Sequence, residues 1–147
     1  MILDAFGQLS DSQVATTNTT TVSTNSVDLD AVTPKRHIGT GEPMAIVFSI
    51  EAITGAADTF TLQVISSTAA ALNAGVLVHA RSGVLTAALL PVGTRFYMPI
   101  PPGTPTQRYL GASYILGASD ALTVSAHLVP MSFIEENPNY ATAITIL

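Results

Sequence analysis

The sequence has no cysteine and no tryptophan, and only 10% of its residues are charged. Without cysteine there is no thiol nucleophile, no thiolate metal site and no disulfide. The chain has 147 residues, enough for one domain that buries about two-thirds of its unfolded surface, so it needs no such staples. A cysteine-free chain fits a reducing compartment or a particle assembled inside a cell. Strong bases are also few: Lys35, Arg36, Arg81, Arg95 and Arg108, scattered along a chain of net charge -5. Binding nucleic acid by neutralising phosphates needs a clustered basic patch, so no nucleic-acid partner is expected. No run approaches the roughly 20 apolar residues of a membrane span. Met1-Ile2-Leu3-Asp4 is too short and too acidic to open a signal peptide. No membrane partner is expected.

Hydrophobic residues, by contrast, make up 48% of the chain. With so little charge, much of the surface must be Thr, Ser, Ala and Gly. Such a surface is cheap to desolvate, because burying a hydroxyl that finds a partner costs far less than burying a charge. A protein with this surface is suited to packing against another.

The middle of the chain alternates with period two, the signature of half-buried strands. Met44, Ile46, Phe48 and Ile50 fall on one face, opposite Ala45, Ser49 and Glu51. The same pattern recurs at Phe60, Leu62 and Val64, at Val76, Val78 and Ala80, and at Phe96 and Met98. It returns at Leu110, Ala112, Tyr114 and Leu116 and at Leu122, Val124, Ala126 and Leu128. Val27 and Leu29 make a shorter run. Gly/Pro-rich turns separate these runs. Seven or eight such strands predict an all-β chain, a jelly-roll-like antiparallel β-sandwich. Val84 to Leu90 competes as a helical turn, and the Ala-rich stretch from Ser66 to Gly75 follows no placeable pattern.

The predicted organisation has three parts. Residues 1–21 read as an N-terminal arm: Leu3, Phe6 and Leu9 permit one turn of helix, and a Thr-rich uncharged run follows. Residues 22–131 read as the sandwich. Residues 132–147 read as a C-terminal tail, in which Tyr140 to Leu147 is apolar, β-branched and free of charged side chains. A segment of that kind pairs with a sheet, its own or a partner's.

Chemistry-bearing constellations are sparse. His37, His79 and His127 lack metal-ligand spacing, though His79 and His127 would meet if their strands were neighbours. Glu135 and Glu136 point opposite ways on an extended chain. Asp28 and Asp30 share a strand face but supply too few oxygens for calcium. There is no G-x-S-x-G elbow and no phosphate-binding Gly loop. No cofactor, metal or catalytic residue is expected. Arg36, Arg95 and Arg108 are either ordinary surface charge or bidentate readers of a partner's carboxylates.

Four stretches carry a family resemblance: Met1-Ile2-Leu3-Asp4 with Ser10-Asp11-Ser12-Gln13, Ser23 to Leu29, Arg36-His37-Ile38-Gly39-Thr40-Gly41-Glu42-Pro43-Met44, and Arg108-Tyr109-Leu110. In their order and spacing the chain resembles the capsid cement (decoration) proteins of short-tailed bacteriophages. The Ala-rich stretch and the segment from Ser132 onward depart from the pattern. The resemblance implies a jelly roll on the outer surface of an icosahedral capsid, assembled in the host cytoplasm, that clamps neighbouring major capsid subunits. The expected partners are the major capsid protein and the chain itself, as a homodimer or homotrimer. The residues expected at partner interfaces are Arg36, Arg95, Arg108, Tyr109, Tyr140, Ile144 and Ile146. The competing readings are a carbohydrate- or host-surface-binding β-sandwich and a cupin-like metal enzyme. The first is disfavoured by an aromatic content of 6%, and the second lacks clustered His and carboxylate ligands.

Overall fold

The computed structural model describes residues 7–16, 20–30, 38, 41–54, 59–105, 107–117 and 121–136. In chain order the elements are β1 (Gln8–Thr16), β2 (Thr20–Val22), β3 (Val27–Asp28), β4 (Met44–Thr54), β5 (Thr59–Ser67), β6 (Leu77–Arg81), β7 (Leu85–Thr86), β8 (Arg95–Pro99), β9 (Tyr109–Leu116), β10 (Ala121–Pro130) and α1 (Met131–Glu136).

One sheet has the order β1-β10-β4-β8, the other β2-β9-β5-β6, with β3 also pairing β9 and β7 also pairing β5. Every pairing is antiparallel. With β2 and β3 sharing one edge, and the first and last strands side by side, this is the jelly-roll-like antiparallel sandwich expected from the alternation.

The alternating residues build the core. Ile46, Phe48 and Ile50 of β4 and Leu122, Val124 and Ala126 of β10 face Phe60, Leu62 and Val64 of β5 and Leu110, Ala112, Tyr114 and Leu116 of β9. Tyr114 meets Phe48 edge-on, with centroids 6.3 Å apart and ring planes at 87°, an arrangement that aligns the positive ring edge with a negative face. On β4 the pairing with β10 shifts next to Glu51, since Ile50 opposes Val124 while Ala52 opposes Thr123. This bulge adds one residue, leaves Glu51 and Ala52 exposed, and returns Ile53 to the core side.

The predicted arm is corrected over its described part. Residues 8–16 are the edge strand β1 of the first sheet, and residues 20–22 are β2 of the second. Leu9 and Ala15 reach the core. Two register shifts between Gln8 and Gln13, with Ser12 at φ 44, break the alternation that would have marked the strand. Side chains then clasp β1 to β2: Gln13 Nε2 donates to Val22 O at 2.8 Å, and Thr24 N donates to Gln13 Oε1 at 3.0 Å. Leu3 and Phe6 lie outside the described residues. At the other end, residues 131–136 form α1, anchored where Met131 N donates to Pro43 O at 2.8 Å. Residues 137–147 lie outside the described residues.

The Ala-rich stretch is a flap on the outer face of the second sheet. Thr68 N donates to Ala74 O at 3.2 Å and Ser26 Oγ to Ala70 O at 2.9 Å. The flap presses Leu72, fully buried, against Gly111. Val84 to Leu90 divides between β7 and a turn in which Leu89 N and Leu90 N donate to Thr86 O.

Candidate interaction surface

The corner where β3 meets β9 holds two of the predicted interface residues. Arg108 Nε donates to Asp28 Oδ1 at 2.9 Å and Nη2 to Asp28 Oδ2 at 2.8 Å. Its guanidinium carbon lies 5.0 Å from the Tyr109 ring centroid. The hydrogen bond to Asp28 raises the Arg108 pKa above its already high value. The bidentate carboxylate recognition that suits arginine is thus met within the chain, and it staples the short strand β3 to the start of β9. Asp30 N donates to Asp28 Oδ1 at 3.0 Å, closing the turn after β3.

Arg95 is exposed on β8, an edge strand of the first sheet among the described residues, opposite Ser49. It lies on the other sheet from Arg108. Arg36, Tyr140, Ile144 and Ile146 lie outside the described residues.

His79 and His127 sit on different sheets and do not meet. Desolvation lowers both pKa values, opposed at His127 by the charge of Asp11. Among the described residues no three His, Asp or Glu side chains are grouped to hold a metal. Glu51 accepts a hydrogen bond from Ser125 Oγ, which in turn accepts one from Ser12 N at 2.9 Å. This carboxylate serves the seam of β1, β10 and β4.

Exposed apolar residues gather at β6 and just beyond it. A shift in the β5–β6 pairing places a bulge at His79: Val64 opposes Ala80, but Ile65 opposes Val78. The expectation that Val76 and Val78 point inward is therefore corrected, since both are exposed, as is Leu77 between them. Past β6, an open groove of about 200 Å³ is lined by Phe60, Thr61, Arg81, Val84, Ile115 and Leu116, with Thr59 and Gly117 at its end.

A family model described as Bbp16 matches residues 9–128, from within β1 to within β10, and so spans both sheets. The chain belongs to the Bbp16 family. Bbp16 is a phage-related family. No curated protein matches the chain.

In this Bbp16-family protein, neither the apolar edge at β6 nor the groove around Arg81 is legible in the sequence. Alternation alone assigns Arg81 to a solvent face. The pairing of Gln63 with Arg81, a relationship between two strands, sets the guanidinium beside the groove.

Proposed function

We propose that this Bbp16-family protein is a structural virion component that binds the outer surface of an icosahedral phage capsid and cements neighbouring major capsid subunits. The observation that carries this reading is the match to a phage-related family across the whole sandwich. The surface agrees with it: charge is sparse, and apolar side chains stand exposed at sheet edges. The resemblance of the Ile38-Gly39-Thr40-Gly41-Glu42-Pro43 turn to cement proteins points the same way.

A cement protein works by mass action. It binds the assembled shell and not the separated subunits, so it stabilises the shell by RT ln(1 + [L]/Kd), about 2.7 kcal/mol per site at a concentration a hundredfold above Kd. Self-association into a dimer or trimer adds avidity, because one attached copy holds its neighbours close to their sites.

The test is to compare particles with and without the protein. The expected result is stoichiometric protein in mature capsids, and shells lacking it that release DNA at lower temperature. Its absence from mature capsids, or equal heat resistance without it, would sink the reading.

A further inference from the structure

Among the described residues β6 pairs with β5 on one side only. Proteins ordinarily blunt such an edge with charge, proline or a bulge. Here Val76, Leu77 and Val78, with no charge or proline among them, are 43%, 46% and 52% exposed. The bulge at His79 shortens the flat part of the edge, so side chains rather than a long ladder must carry any contact made there.

Arg81, at the end of the same strand, lines the groove with Val84 and Ile115. At about 200 Å³ the groove falls below the roughly 300–1,000 Å³ of small-molecule pockets. It has room for side chains, not for a cofactor. Arg81 is the one charged side chain in its lining. The ion pair found between described residues is Arg108–Asp28, so no described carboxylate pairs with Arg81. A guanidinium with no carboxylate partner among the described residues, beside Val84, Ile115 and Leu116, is complementary to an acidic group flanked by apolar side chains.

We infer that the Val76–Val78 strip and the Arg81 groove receive an extended segment of a neighbouring capsid subunit, whose apolar side chains cover the strip and whose acidic side chain meets Arg81. The inference rests on the capsid-binding reading above and names the surface that does the binding. A second copy fits less well. Among the described residues, one exposed pair of that kind is Asp11 with Val14 on β1. β1 and β6 are edges of different sheets, with β1 packed near β9 and β6 near β8. Contacts between such opposite corners are heterologous: they close into a ring only where the rotation allows it and otherwise extend as an open filament.

The experiment adds purified full-length protein back to capsids depleted of it. It compares wild type with Arg81→Glu, Val78→Asp and, as a control at the opposite corner, Val14→Asp. All three sites are exposed, and matching melting temperatures check the fold. Facing Glu against an acidic partner should weaken binding about a hundredfold. Val78→Asp should weaken binding through the strip, and Val14→Asp should bind as wild type does. If Arg81→Glu and Val78→Asp both bind like wild type, this surface is not the docking site and the capsid-binding reading stands. If wild type itself does not bind, both fall. If light scattering shows that Arg81→Glu instead dissociates a wild-type oligomer, the occupant is a second copy and the assignment to a capsid subunit is overturned.

Discussion

Leu72 fills the space that any side chain on Gly111 would need. A Cβ at Gly111 would collide with Leu72 Cδ1 and come within 3.0 Å of Ser23 Oγ. Leu72 is held at φ 56, a left-handed conformation that costs a non-glycine residue about 1–3 kcal/mol. The flap keeps it because burial of the side chain offsets that cost. Gly111→Ala should therefore destabilise by about 1–3 kcal/mol through overpacking, and Leu72→Ala by about 2–5 kcal/mol through the cavity it leaves. The double variant should lose clearly less than the sum, since the alanine at 111 then has room. Urea denaturation of the four proteins checks this, and strict additivity would refute the contact.

Ser10 and Tyr114 join the two sheets through the core. Ser10 Oγ donates to Gln13 Oε1 at 2.6 Å, so the Tyr114 hydroxyl donates to Ser10 Oγ at 2.7 Å. Burial, partly offset by this hydrogen bond, raises the phenol pKa well above its ordinary value. Removing either partner has unequal consequences. Tyr114→Phe leaves Ser10 still bonded to Gln13 and should cost about 1 kcal/mol. Ser10→Ala strands a buried hydroxyl and should cost about 1–3 kcal/mol. Equal losses in denaturant unfolding would contradict this ordering.

What the sequence revealed follows from how local each signal is. β4, β5, β9 and β10 are legible because every second residue is apolar and each strand carries its own evidence. β1 is not, because its irregular pairing and Ser12 scramble the period. β6 misleads for the same reason, since one extra residue at His79 reverses the side-chain order. The role of Leu72 depends on a glycine in a distant strand, and the Arg108–Asp28 pair joins residues 80 positions apart. The expectation of interface arginines rests on residue type. Type alone distinguishes neither Arg108, committed to Asp28, nor Arg81, facing an apolar groove.

The Arg108–Asp28 pair is half exposed on its arginine side, so its contribution is small despite ideal geometry. Arg108→Ala should leave global stability nearly unchanged. The readable effect is local: amide exchange at Val27 and Asp28 should quicken, because β3 has only two paired residues. Unchanged exchange there would show that the pair does not staple β3.

Ser113 is buried between Val22 and Gln63, its cross-strand neighbours on β2 and β5, and its hydroxyl has no hydrogen-bond partner among the described residues. A buried polar atom left unpaired costs about 1–3 kcal/mol. Ser113→Ala removes the atom without enlarging the side chain, so it should be neutral or stabilising. A melting temperature clearly below wild type would disprove this.

The two described histidines make stability fall in mild acid. Desolvation depresses both His79 and His127 below their ordinary value of 6.5, so below that pH the unfolded chain binds protons more readily than the folded one. Their contribution is fully present above about pH 6.5 and is lost as pH falls toward the folded-state values. Ser66 donates to Gln107 Oε1 at 3.2 Å, so His79 donates through Nε2–H to Ser66 Oγ at 2.7 Å. Protonation must then add charge on the other nitrogen of a partly buried ring. At His127 the Asp11 charge works against the shift, so His79 should dominate. Melting temperatures recorded from about pH 7 to about pH 5, above the range where carboxylates titrate, should decline for wild type and decline less for His79→Gln than for His127→Gln. A His79→Gln profile parallel to wild type would assign the acid sensitivity elsewhere.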